Sequence, residues 1–189
     1  MMGYSASALT AQNIAGKLGM MISMLIMGIC MGLQPAISYN YGGRKIERMY
    51  MILRKTAVLT TCIGVILSVI CFFIRDSIIA AFINDAVVIE YGHIMVFASL
   101  VTAPFYGIYQ LCQTFLQSTG KASYAITLSL LDKGIFFIPC LYLMAHFIGL
   151  YGIVFTPTVT LFLSLVASIF LSARWNQKIK ATQPKDEMR

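Results

Sequence analysis

The chain has 189 residues, of which 59% are hydrophobic and only 11% are charged, and its mean hydropathy is +0.80. A soluble domain carries roughly a quarter charged residues, so we predict that this chain uses lipid as its solvent, which excludes a soluble enzyme. The net charge of +7 would indicate nucleic acid as a partner only if the basic residues shared one solvated face.

Four stretches without Asp, Glu, Lys or Arg divide the chain, and they cover 18–43, 56–74, 91–120 and 134–173. A helix needs about 20 apolar residues to cross a bilayer, so the first three stretches predict one span each. The fourth is long enough for two, with a turn near Gly149 and Gly152. The predicted fold is an all-α polytopic bundle of five transmembrane helices, at about 18–40, 56–75, 90–116, 123–146 and 151–173.

The basic residues are unevenly distributed about these spans. If the loop after the first span is cytoplasmic, only Lys17 and Arg75 among the 14 basic residues fall on the other side. By the positive-inside rule, we expect a non-cytoplasmic N-terminal loop at 1–17 and a basic cytoplasmic tail at 174–189. We therefore expect a multi-pass protein of the plasma membrane, which in a bacterium is the inner or cytoplasmic membrane. Its basic residues would anchor it to anionic headgroups, so nucleic acid is not an expected partner.

Polar residues form a stripe on the third predicted span. Tyr106, Gln110, Gln113 and Gln117 recur at spacings of three and four residues, which places them on one helical face. Such a face does not contact lipid. It either bonds to neighbouring helices or lines a water-filled cavity, and both alternatives stay open.

The fourth predicted span contains the one charged pair inside a span, Asp132 and Lys133. Either Lys133 reaches the cytoplasmic surface with Asp132 as its partner, or the pair has a gating or coupling role.

Other reactive residue types form no recognisable site. The five cysteines lie in apolar spans without CxxC spacing, and His93 and His146 have no nearby carboxylate or thiol, so we expect no metal site. No nucleophile, base and orienting group share sensible spacing, so we expect no enzyme.

A specific motif closes the first predicted span, where residues 32–43 read Gly-Leu-Gln-Pro-Ala-Ile-Ser-Tyr-Asn-Tyr-Gly-Gly. This run resembles the signature of multidrug and toxic compound extrusion (MATE) transporters, in which it closes the eighth of twelve helices. The matching residues are Gly32, Gln34, Pro35, Tyr39, Asn40, Tyr41 and Gly42.

Weaker matches follow in the same order along the chain. Residues 81–85 resemble the stretch after the family's ninth helix, and 117–121 resemble the turn after the tenth. Residues 138–143 with 149–153 resemble the eleventh helix and the turn into the twelfth. Many members carry Asp three residues after the proline of the last helix, where this chain has Thr160.

The resemblance implies the C-terminal part of a multidrug/cation antiporter, comprising helices eight to twelve. Such a transporter exports small cationic or amphipathic compounds by alternating access driven by Na⁺ or H⁺, with no other cofactor. Tyr106, Gln110 and Gln113 would line its cavity, and an N-terminal lobe would be missing. The alternatives are a truncated, non-transporting membrane fragment, a lobe that needs a partner chain, and a lipid-oligosaccharide flippase of the same broad fold.

Overall fold

The computed structural model describes residues 2–82, 86–148 and 150–182, which are almost entirely helical, with short turns at 43–45 and 119–121. No strand occurs among these residues, and the predicted all-α bundle is confirmed. The elements are α1 (Met2–Gly42), α2 (Ile46–Phe82), α3 (Ala86–Ser118), α4 (Ala122–Leu130), a π-helix (Leu131–Phe136), α5 (Phe137–Ile148) and α6 (Leu150–Thr182). The π-helix joins α4 to α5, so α4, the π-helix and α5 together occupy the place of the fourth predicted span.

The helices are longer than the charge pattern predicts. The expected loop at 1–17 is wrong, because α1 is helical from Met2 onward, and α6 continues to Thr182, nine residues into the expected tail. Neither extension contains a proline, and a helix that already crosses the apolar region extends readily through residues of ordinary helix propensity. The rest of the expected tail, 183–189, lies outside the described residues.

Four stretches of the described chain are long and apolar enough to cross a membrane: Gly19–Gly42, Ile46–Ile74, Ala122–Phe147 and Phe155–Ile179. The remaining long helix, α3, packs against α1, α2 and α6. The side chains of much of its first half lie outside the described residues, so its crossing of the bilayer stays a prediction.

Small residues bring α2 and α3 into close contact. Thr60 and Gly64 of α2 face Ala103, Pro104 and Gly107 of α3, and a Cβ added to either glycine would lie 3.0 Å from the facing helix. One turn farther along, the Ser68 hydroxyl donates a 2.9 Å hydrogen bond to the Leu100 carbonyl. Close approach of this kind replaces the hydrophobic effect as the source of helix association in lipid.

Two turns of the same construction lie at one end of the bundle. After α1, the Lys45 amide bonds to the Asn40 carbonyl at 2.8 Å, and after α3 the Lys121 amide bonds to the Leu116 carbonyl at 3.0 Å. Each turn has one residue at positive φ, Arg44 at 55° and Gly120 at 77°, as in helix C-caps of the Schellman type.

The same end holds the larger apolar core. It is built from Ile37, Ile46, Met49, Phe115, Leu116, Ala125, Leu128 and Ile179, which come from α1, α2, α3, α4 and α6. The basic residues of both turns and of the end of α6 therefore gather here. This agrees with their grouping in the predicted topology, while the side of the membrane on which they lie stays a prediction.

The π-helix interrupts the fourth span directly before Pro139. A proline has no N–H, and its ring clashes with the carbonyl four residues earlier, here that of Ile135. The wider π turn over Leu131–Phe136 accommodates both the hydrogen bond that Pro139 cannot donate and the space that its ring needs. It also contains Asp132 and Lys133, so the charged pair lies on the one irregular segment of this span.

Candidate functional site: a polar cleft between α1, α3 and the π-helix

The predicted polar stripe of α3 lines a cavity of about 230 Å³. Tyr106, Gln110, Gln113 and Gln117 all contribute to its wall, opposite Met27 and Met31 of α1. Tyr109 and Ser129 complete the wall together with Asp132 and Lys133 of the π-helix. The structure therefore brings the three predicted cavity residues and the predicted charged pair to one place.

A second cavity, of about 370 Å³, adjoins the first. The two share Tyr106, Asp132 and Lys133, and the second extends to Ser23 of α1 and Thr160 of α6. Hydroxyl groups dominate its polar lining, since Thr102 and Thr158 also contribute. The shared residues thus stand at the centre of one polar cleft inside an otherwise apolar bundle.

Two glutamines of the stripe, Gln113 and Gln117, bond to neighbouring helices and also line the cavity. The Gln113 amide donates to the Ser129 hydroxyl of α4 at 2.6 Å, and the Gln34 amide of α1 donates to the Gln117 carbonyl oxygen at 2.8 Å. Gln110 is buried. Gln113 and Gln117 therefore bond between helices and also line the cavity, and contact of the stripe with water or substrate stays a prediction.

Asp132 is held by partners on both of its oxygens. The Ser164 hydroxyl of α6 donates to Oδ1 at 2.8 Å, and the Lys133 ammonium lies 3.1 Å from Oδ2. The Asp132 side chain is 9% exposed, whereas that of Lys133 is 84% exposed. Asp132 is the eleventh residue of the candidate span Ala122–Phe147, which places it about 15 Å from the start of that span.

The MATE-like motif residues of α1 fasten this helix to α3. Besides the Gln34–Gln117 contact, the Ser38 hydroxyl donates to the Ser118 carbonyl at 3.0 Å. Asn40 is buried, and its amide caps α1 by donating to the Ala36 carbonyl at 2.7 Å. Tyr41 packs against the apolar core, while Tyr39 is exposed. Gly32, Pro35 and Gly42 lie on exposed parts of α1.

Sequence reasoning missed the partners that fix the charged pair and Gln113, the second glutamine of the stripe. Ser164 belongs to a run of buried hydroxyls on α6, at Thr156, Thr160, Ser164 and Ser168. This run repeats every fourth residue, so its periodicity could have identified a second polar face. Thr160 lines the same cavity as Asp132. The pairing of Gln113 with Ser129 has no comparable signal.

Among the described residues, no group of three or more His, Cys, Asp or Glu could hold a metal ion. His146 stacks on Tyr142 at the end of α5, and the side chain of His93 lies outside the described part of the chain. Asp132 is the only carboxylate among the described residues that line the cleft, so this part of the cleft is suited to a single positive charge.

Comparison with known proteins places this architecture in a family. The MatE family profile matches residues 1–143. Two relatives, both named multidrug export protein MepA, are 28% identical over 169 residues (Staphylococcus saprophyticus) and 25% identical over 168 residues (Staphylococcus aureus strain MRSA252). Each alignment covers 89% of this chain and 37% of the relative, so the chain spans little more than a third of the curated proteins that it matches.

Solved structures share the fold at low sequence identity. The bent form of the Vibrio cholerae MATE transporter VcmN superposes with a TM-score of 0.82 at 18% identity, covering 93% of this chain and 40% of that chain. The MATE transporter ClbM in complex with Rb⁺ superposes with a TM-score of 0.80 at 21% identity, covering 92% and 42%. The described bundle is thus equivalent to less than half of each transporter.

Proposed function

The chain belongs to the MatE family, and on that premise we propose that it forms the C-terminal lobe of a multidrug efflux transporter. In this proposal the lobe exports small cationic or amphipathic compounds by alternating access and couples export to inward movement of Na⁺ or H⁺. It spans the plasma membrane with its C-terminus in the cytoplasm, and its role is transport rather than catalysis.

The observation that carries this proposal is the polar cleft. Bonds between helices use part of this wall of amides, phenols and a carboxylate, and its remaining polar surface in a lipid-embedded bundle favours contact with water or a polar ligand. Two tyrosines and two methionines share the wall with Gln110 and Gln113, so the cleft combines aromatic, soft and polar contacts. That mixture suits ligands with an apolar body and one cationic group.

The length of the chain makes a second lobe part of the proposal. Its relatives are more than twice as long, and alternating access needs two bodies that move against each other around a site. We therefore assign the missing wall of the cleft to an N-terminal lobe on another polypeptide or another part of the same one. Asp132 and Lys133 have a gating or coupling role in this assembly.

The test is ethidium efflux from cells that express the chain alone or together with the first lobe of a homologous transporter. We expect efflux only from the combination. Efflux from the chain alone would overturn the need for a second lobe, and no efflux from a combination that is present in the membrane would favour the non-transporting fragment.

The cavity assignment needs a separate comparison within the active combination. Replacing Gln110 and Gln113 together by alanine should lower the efflux rate about tenfold, which corresponds to about 1.4 kcal/mol in the barrier of the rate-limiting step. The matched control is Gln177→Ala, because Gln177 is exposed on the last turns of α6, outside both cavities. Equal efflux rates in the double variant and the control would show that the stripe does not face the substrate.

A further inference from the structure

Asp132 and Lys133 form an ion pair whose two side chains differ greatly in solvent exposure. The carboxylate is nearly buried and is fixed by Ser164, whereas the lysine side chain is mostly exposed. Both residues line both cavities of the cleft, and Lys133 also borders a third cavity beside α4. The anion is therefore part of the wall, while the cation that neutralises it lies in open space.

A carboxylate at this depth requires a positive partner. Burial of an unpaired charge is strongly unfavourable, and one hydrogen bond from Ser164 does not neutralise it. Asp132 and Lys133 are the only charged side chains among the described residues that line the two cavities. Among the described residues, the titratable groups that face the pair from α3 are the phenol of Tyr106 and, in the smaller cavity, that of Tyr109, which carry no formal charge.

The space beside the carboxylate is much larger than a lysine ammonium or a bare metal ion needs. The larger cavity, of about 370 Å³, is in the size range of small-molecule sites, and the adjoining cavity of about 230 Å³ extends it. Tyr106 and Tyr109 offer aromatic rings beside the carboxylate, and Phe137 adds another in the larger cavity. A carboxylate flanked by aromatic rings attracts an organic cation through charge and through the ring faces.

We infer that Lys133 is a tethered counter-ion that occupies Asp132 when the cleft is empty, and that an organic cation must displace it in order to bind. The inference rests on the proposed transport function for the class of ligand. Displacement is structurally simple, since the ammonium ends a flexible four-carbon chain that already projects into the cleft. The ligand then provides the charge that Lys133 withdraws, so the carboxylate is never left unpaired.

Competition by Lys133 determines whether its removal should raise or lower the affinity for a cationic ligand. If Lys133 occupies the carboxylate about nine tenths of the time, the apparent affinity for a ligand is reduced about tenfold. Removing the lysine should therefore tighten binding. An ion pair that served only to shape the site would give the opposite result, because its loss would weaken binding.

The experiment measures binding of tetraphenylphosphonium and of ethidium to the purified full chain in nanodiscs of zwitterionic lipid. Lys133→Gln should tighten binding of both cations about tenfold, and Lys133→Arg should keep the weak affinity of the parent chain. Asp132→Asn should weaken binding of both cations at least tenfold relative to the parent chain. The double variant Asp132→Asn/Lys133→Gln should bind them no better than Asp132→Asn does. Lys121→Gln is the matched control, because it removes one positive charge at the α3–α4 turn, outside the described walls of both cavities.

The inference is overturned if Lys133→Gln binds the organic cations with unchanged or weaker affinity, or if Asp132→Asn binds them as the parent does. A parallel measurement of the melting temperature at increasing NaCl concentration shows whether the cation that displaces Lys133 is organic or is Na⁺. If Lys133→Gln increases stabilisation by Na⁺ but leaves tetraphenylphosphonium binding unchanged, the displacing ligand is inorganic and the inference is wrong.

Binding is measured without transport, so the two proposals fail separately. If the two-lobe combination shows no ethidium efflux in cells, while Lys133→Gln still tightens cation binding to the purified chain, only the transport proposal is wrong.

Discussion

Gly64 of α2 meets Pro104 of α3 backbone to backbone, so that a Cβ added to Gly64 would lie 3.0 Å from the Pro104 Cα and 3.1 Å from the Ala103 carbonyl oxygen. Neither atom belongs to a flexible side chain, so nothing at this contact can move without shifting a helix. The separation of α2 and α3 therefore depends on the absence of a side chain at one position.

Gly64→Ala should destabilise the purified chain by about 1–3 kcal/mol, because even one methyl group overfills this contact. The measurement is thermal or denaturant unfolding in detergent. Gly28→Ala is the matched control: a Cβ at Gly28 meets nothing within 4 Å, and alanine has the higher helix propensity. If Gly64→Ala is as stable as Gly28→Ala, the two helices are farther apart than the structure places them.

The charge-free stretches predicted the number and order of the long helices because lipid imposes both length and apolar composition on a span. They misplaced the ends, since a charged residue marks where lipid stops and a helix ends where its hydrogen bonds stop. Helix α1 therefore begins at Met2 rather than near residue 18, and α6 continues past Arg174 to Thr182.

The candidate site was only half predictable for a related reason. Periodicity places residues on one face of one helix, so it identified Tyr106, Gln110 and Gln113 together. It cannot pair a residue with its partner on another helix, and Ser164 is 32 positions from Asp132. The π-helix was likewise unforeseen, because Pro139 indicates a distorted turn without specifying its form.

Ser164 should be the residue on which the position of Asp132 depends most. Ser164→Ala leaves Oδ1 of a buried carboxylate without its donor, and a hydrogen bond to a charged group contributes about 1.5–3 kcal/mol. We expect a loss of that size in unfolding experiments in detergent.

The control for Ser164 is Thr156→Val on the same helix. Thr156 is equally buried, but its hydroxyl donates only to the Gly152 carbonyl one turn earlier, so its loss should cost about 0.5 kcal/mol at most. Equal losses in the two variants would mean that the contact with Asp132 contributes nothing beyond a local hydroxyl bond.

Trp175 joins the end of α6 to the turn between α3 and α4. Its indole N–H donates to the Thr119 hydroxyl at 2.9 Å, and the Lys121 ammonium lies 4.6 Å from the ring centroid. Because it is the only tryptophan of the chain, its fluorescence reports this junction alone.

Thr119→Ala should change the emission maximum of Trp175 and lower the stability of the chain by about 1 kcal/mol, because the half-buried indole N–H loses its acceptor. Thr127→Ala is the control, since the Thr127 hydroxyl is exposed and bonds only to the Ser123 carbonyl of its own helix. Its emission should match that of the parent. An unchanged spectrum in Thr119→Ala would place Trp175 away from the turn, and α6 would then contact this end of the bundle through Ile179 and its apolar neighbours rather than through the indole.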